Sequence, residues 1–170
     1  LDFCILLLLL SCGMRVSELA GLNLKDINGE TVRVLGKGNK ERILYLNPAC
    51  QQAIRDYLLV RDGTNVQPKD QDALFLSRNH RRISVDSIQI LVKRTCSAAG
   101  LDPERYSPHK LRHTAATLML QNGVDVRTLQ EVLGHESLNT TQIYTHIDNE
   151  GLRTAARANP IGRYKKQESA

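Results

Sequence analysis

The sequence predicts a mainly helical domain carrying one small antiparallel β-sheet, an α+β fold. Long stretches with apolar residues at helical spacing, bounded by Ser, Asn or Asp on one side and Gly on the other, predict the helices. A single pair of short alternating segments around a glycine-rich turn predicts the sheet. With 170 residues and 41% hydrophobic content the chain can bury one sizeable core, so a single domain over residues 1–158 is expected.

Taken in order, Asp2 is placed to cap a helix that runs to Cys12 and is interrupted by Gly13. Its apolar run extends for only about ten residues before Ser11, short of the roughly 18 a membrane span needs, so it reads as a buried helix. Residues 15–19 open a second short helix with Arg15 at its start. Segments 31–35 and 41–46 alternate around Gly36-Lys37-Gly38-Asn39, a β-hairpin with Lys37 at its tip. Asn47-Pro48 starts a helix to Arg61, because Asn caps and Pro suits the first turn. Residues 62–72 read as a loop and 73–76 as a short strand.

Ser84 caps the next helix, through Ala99, with Ile88, Leu91, Val92 and Cys96 on one face and Gly100 beyond its end. Ser107-Pro108 opens a helix to Asn122, stopped by Gly123, and Asp125 and Gly134 bracket another. Ser137 or Asn139 can cap a helix carrying Tyr144. Residues 151–158 form a last Ala-rich segment before a polar basic tail, 159–170, and no internal repeats are present. The chain begins at Leu1 inside a helical pattern, without the Met-led basic segment of a signal peptide, so a further N-terminal portion is expected.

The net charge is +5, and it is unevenly placed: residues 1–76 hold nine cations and nine anions, so the whole excess lies in 77–170. A polyanionic partner fits, although such a charge is also ordinary for a soluble domain. Cys4, Cys12, Cys50 and Cys96 lie among apolar residues with no close pair, and read as reduced core residues of a cytoplasmic protein.

On the helix opened by Pro108, Leu111, Ala115 and Leu118 share one side, with His109, Arg112 and His113 broadly opposite. A His and an Arg in the first turn of a helix face the end where backbone N–H groups and the macrodipole favour an anion, the outline of a phosphate site. His109 and His113 also have the spacing of a helical metal pair, which His135 and His146 would complete. Lys110 and Arg112 flank them and repel a cation, so no metal is expected.

Five motifs follow one another along the chain: 13–19 (Gly-Met-Arg-Val-Ser-Glu-Leu), 36–42 (Gly-Lys-Gly-Asn-Lys-Glu-Arg), 109–113 (His-Lys-Leu-Arg-His), 133–135 (Leu-Gly-His) and 144–146 (Tyr-Thr-His). In order and spacing they resemble the Arg, Lys, His, Arg, His, Tyr series of the tyrosine recombinases, the phage-integrase and Xer-like family. The resemblance covers essentially the whole chain.

It implies a recombinase catalytic domain in which Arg15, Arg112 and His109 surround a scissile DNA phosphate and Tyr144 attacks in line. Planar guanidinium forks suit the charge developing on two non-bridging oxygens. Tyrosine, with an ordinary pKa near 10, must lose its proton, and His109 or His135 assists that transfer or holds the oxygens. Lys37 is the expected acid for the departing 5′ oxygen, and Glu18 is expected to orient Arg15. A 3′-phosphotyrosyl bond keeps the energy of the phosphodiester, so rejoining needs no cofactor.

Lys40, Arg81 and Arg82 sit in turns from which cations reach a DNA backbone, or else form a solvated basic surface. The resemblance further implies double-stranded DNA at a specific site as partner, and a homo-tetramer, or a hetero-tetramer with a related recombinase, on paired sites. It places residues 151–158 against a neighbouring protomer, a clamp domain N-terminal to this chain, and the protein in the bacterial nucleoid. A type IB topoisomerase-like activity and a non-catalytic DNA-binding module are the competing readings; the second would have no need of Tyr144.

Overall fold

The computed structural model describes residues 1–134 and 149–163. Its centre is α1 (Asp2–Cys12), whose Cys4, Ile5, Leu7, Leu8, Leu9 and Cys12 are all buried. A helix apolar all round has no solvated face to offer, so it becomes the axis on which the others pack. Asp2 does not cap it. Leu1 holds the cap position and Asp2 lies in the first turn, where its charge suits the dipole and pairs with Arg94.

The second helix, α2 (Val16–Gly21), follows at once, and a 3-10 turn leads to the sheet: β1 (Ile27–Asn28), β2 (Thr31–Leu35) and β3 (Glu41–Tyr45), antiparallel in that order. Val32 pairs with Leu44 and Val34 with Arg42, so these four share the inward face, while Leu35 and Ile43 point outward. The hairpin closes with Gly36 N–H donating to the Lys40 carbonyl at 2.7 Å, and Gly38, at φ 70°, supplies the left-handed turn.

Next come α3 (Pro48–Asp62), α4 (Val85–Ala98), α5 (Pro108–Gln121), α6 (Val126–Leu133) and α7 (Asn149–Ala158). The expected caps close four of them: Asn47, Ser84, Ser107 and Asp125 accept from the N–H groups of Cys50, Ser87, Lys110 and Thr128. Both α3 and α5 pack on α1, and α6 packs on α5. Buried Cys4, Cys12, Cys50 and Cys96 are free thiols, and burial pushes Cys4 up to about 12.

Further expectations need correction. Residues 73–76 are not a strand: only isolated bridges form, Asn23 to Ala73 and Leu76 to Arg82, because the segment is tied to loops and to the Tyr57 hydroxyl. On α5 the inward row is Leu111, Ala115 and Met119, with Leu118 only half-buried. The stretch after Ala158 is not a free tail from residue 159. Asn159 is fully buried, donating to the carbonyls of Leu10 and Ser11, and a 3-10 turn, Pro160–Arg163, packs on α3 and α1. The helix expected over 151–158 begins two residues earlier, and within the chain it docks on α6 and β3, with Ala155 buried. No helix of the described residues is long and apolar enough to cross a membrane.

Candidate active site

The end of α1, the end of α6 and the base of the hairpin meet at one cluster of charge. Gly13, at φ 59°, turns the chain out of α1, and a Cβ there would lie 2.8 Å from the Leu133 side chain, so α6 can end here only against glycine. Met14 is buried, and Arg15 is thereby set at the start of α2. The Arg15 N–H donates to Glu18 Oε2 at 2.8 Å and its Nη1 to Glu18 Oε1 at 2.9 Å, so the two side chains are joined at the start of α2.

Two further arginines enter. Arg42 on β3 donates Nη1 and Nη2 to the same carboxylate at 2.8 and 2.9 Å. Arg112, from the second turn of α5, donates Nη1 to the Gly13 carbonyl at 2.5 Å. The last carbonyls of α6 are then shared out: Val132 accepts from Arg42 Nε at 3.0 Å, Leu133 from Arg112 Nη2 at 2.7 Å and Gly134 from Arg15 Nη2 at 3.2 Å. Helix C-termini leave carbonyls without intrahelical partners and carry partial negative charge, so three guanidinium groups satisfy both needs.

Burial alone would raise the Glu18 carboxyl, but hydrogen bonds from Arg42 and from the Arg15 backbone outweigh it and hold the group below its ordinary value. Arg112 is pushed down to about 10, first by burial and then by the like charge of Arg15, and stays charged at neutral pH. Among the described residues the network sets three guanidinium groups against the one carboxylate of Glu18. The Arg15 side chain remains 35% exposed, so the surplus positive charge has an open side. Such a surplus favours a dianionic or anionic oxygen cluster over any cation.

Of the other expected residues, His109 is exposed in the first turn of α5, one turn ahead of Arg112, and Lys37 is exposed in the 3-10 turn at the hairpin tip. Lys40 and Arg81 are exposed as well. Arg82 is half-buried, and its guanidinium donates to the carbonyls of Ala20 and Leu22 and to Asn23 Oδ1, fixing the turn after α2. Arg112 was placed opposite the apolar row, yet it is only 7% exposed, since the end of α6 covers that side too. His135 and Tyr144, and His146 with them, lie outside the described residues. No three His, Cys, Asp or Glu side chains come together as a metal site among the described residues.

Arg42 was missed as a member of the site. Its signal was present: counting back by twos from Leu44 puts a charged residue in phase with the buried face of β3.

The phage integrase family model matches residues 1–150. The chain belongs to the phage integrase family. Among curated members it is 55% identical over 161 residues to the tyrosine recombinase XerC of Caldanaerobacter subterraneus subsp. tengcongensis, covering 94% of this chain and 45% of that protein. With the tyrosine recombinase XerC of Corynebacterium glutamicum the identity is 47% over 156 residues, covering 91% and 49%. The chain spans about half the length of the curated integrase-family relatives it matches. Among solved structures, XerA recombinase superimposes with a TM-score of 0.73 at 35% identity over 90% of this chain and 56% of that one. XerH bound to its difH substrate gives 0.69 at 32% identity over 85% and 42%. The mainly helical fold with a three-stranded antiparallel sheet is therefore that of the family's recombinases.

Proposed function

We propose that this chain is the catalytic domain of a tyrosine site-specific recombinase, which cleaves and rejoins DNA through a 3′-phosphotyrosyl bond to Tyr144. The observation that carries the reading is the convergence of Arg15 and Arg112 on the consecutive carbonyls of Gly134 and Leu133. Two residues far apart in sequence thus meet at the end of α6, where one side of Arg15 stays open to solvent. Arg15 and Arg112 hold the non-bridging oxygens, His109 or His135 handles the tyrosyl proton, and Lys37 protonates the leaving 5′ oxygen. Lys40 and Arg81 contact the DNA backbone.

The partner is double-stranded DNA at a specific site, in line with the XerH relative solved on its difH substrate. Assembly is a tetramer on paired sites, of this protein alone or with a related recombinase, with residues 151–158 contributing to contacts between protomers. The activity belongs to the intact protein, with a clamp domain N-terminal to residues 1–158, acting in the bacterial nucleoid.

The test is a denaturing gel. The intact protein selects its site from a pool of random duplexes, and the selected duplex is then nicked beside the cleavage position and incubated with it. A protein–DNA band that disappears in Tyr144→Phe supports the reading. Selective binding without any covalent band would leave a DNA-binding module, and supercoil relaxation without strand exchange would leave a topoisomerase.

A further inference from the structure

We propose that Arg42 is a positioning residue for strand cleavage, acting through Glu18 on Arg15. The inference rests on the recombinase reading above and adds to it a residue that holds the reacting groups in place without touching DNA.

Arg42 faces inward from β3, paired across the sheet with buried Val34, and its side chain is only 14% exposed. A guanidinium so placed is costly unless every nitrogen finds an acceptor. All three do: Nη1 and Nη2 grip the two oxygens of Glu18, and Nε binds the Val132 carbonyl. The two-pronged grip fixes the plane of the carboxylate, which single contacts cannot do. Glu18 Oε1 then has one direction left in which to meet Arg15 Nη1, and Oε2 one in which to meet the Arg15 N–H. Arg15 is thereby turned with its Nη2 toward Gly134 and its remaining edge toward solvent.

The backbone is shaped around this ion pair. A Cβ on Gly134, which sits at φ 63°, would lie 3.1 Å from Arg42 Nη1, and one on Gly36 would lie 3.5 Å from Nη1 and 3.6 Å from Glu18 Oε1. The hairpin that carries Lys37 and the glycine that ends α6 therefore both close on the same guanidinium. A residue that served only to fill space would not need to bond both oxygens of the carboxylate that holds Arg15.

The test measures formation of the covalent adduct by the intact protein on the selected, nicked duplex. Arg42→Gln should slow it by roughly ten- to hundredfold, the scale of a misplaced reacting group, with site binding retained. In a Glu18→Gln background the same change should cost less than about twofold, because its route to Arg15 is already gone. Arg42→Lys, which keeps the charge and size but not the fork, should behave like Arg42→Gln and serves where the Gln variant does not fold.

The pH profile separates positioning from mere support. The charged groups facing Glu18 among the described residues are Arg15 from the cap of its own helix α2, Arg42 from β3 and Arg112 from α5. Removing Arg42 lets the Glu18 carboxyl take up a proton at higher pH, so the acid limb of the cleavage profile should move upward. A substrate with sulfur at the bridging 5′ position should leave the defect in place. Adduct formation at the wild-type rate, defects that multiply in the double variant, an unmoved acid limb, or rescue by sulfur would each overturn the proposal. If the wild-type protein makes no adduct, the recombinase reading itself fails and this inference with it.

Discussion

Arg112 and Arg15 bind neighbouring carbonyls, those of Leu133 and Gly134, so the end of α6 is the common anchor of two side chains from different parts of the chain. Their mutual repulsion is offset by the helix terminus and by Glu18. A bound phosphate would offset it further, which is the electrostatic reason for assigning the cluster to an anion.

Arg112→Lys should abolish most cleavage although it conserves charge. An ammonium cannot span the carbonyls of Gly13 and Leu133 and also present a planar fork. Single-turnover adduct formation should fall by more than about a hundredfold, as for other lost oxyanion donors. A loss under tenfold would show that a point charge suffices.

Glu18 predicts an acid-sensitive share of stability. Its folded pKa lies below the ordinary carboxylate value, so the stabilisation is fully present above that value and is lost as pH falls through the depressed one. Thermal melts of the wild type and Glu18→Gln should differ most near neutral pH and converge in acid. A gap that stays constant with pH would contradict this.

The sequence made local features legible and distant ones less so. Caps at Asn47, Ser84, Ser107 and Asp125 depend on a side chain and an N–H three residues on, and all four form as read. The link from Arg15 to Glu18 is equally local, three residues apart. By contrast, the bond from Arg42 to Glu18 crosses 24 residues, and nothing in a helical or strand period encodes it. Helical spacing sets Arg112 broadly opposite the apolar row of α5, but it does not show that the end of α6 covers that side too. Arg82 illustrates the same limit: its three acceptors within the chain cannot be read from its place in a loop.

Asn159 should matter for stability despite its place beyond the last α-helix. Its amide donates to the Leu10 and Ser11 carbonyls, in the last turn of α1 before Gly13. Asn159→Ala leaves buried acceptors without a donor, a cost of about 1–3 kcal/mol. Urea denaturation would read it as a lower midpoint with unchanged slope, and an unaltered midpoint would show that the carbonyls find other partners.

Lys37 is exposed at the hairpin tip. Lys37→Ala should slow cleavage roughly a hundredfold or more, the scale of a lost general acid. A bridging 5′ sulfur departs as a thiolate without a proton, so it should restore most of that rate, whereas Arg15→Ala should not be rescued. Equal impairment on both substrates would make Lys37 a binding residue.

The proposed nucleophile is Tyr144, and the covalent bond itself can be located. After the selected, nicked duplex is incubated with the intact protein, nuclease and protease digestion leaves a nucleotide-bearing peptide whose mass and fragmentation locate the attachment. A 3′-phosphate ester is expected on Tyr144, absent from Tyr144→Phe, which should still bind the site. An adduct on Tyr106 or Tyr164, or an undiminished adduct in Tyr144→Phe, would contradict it.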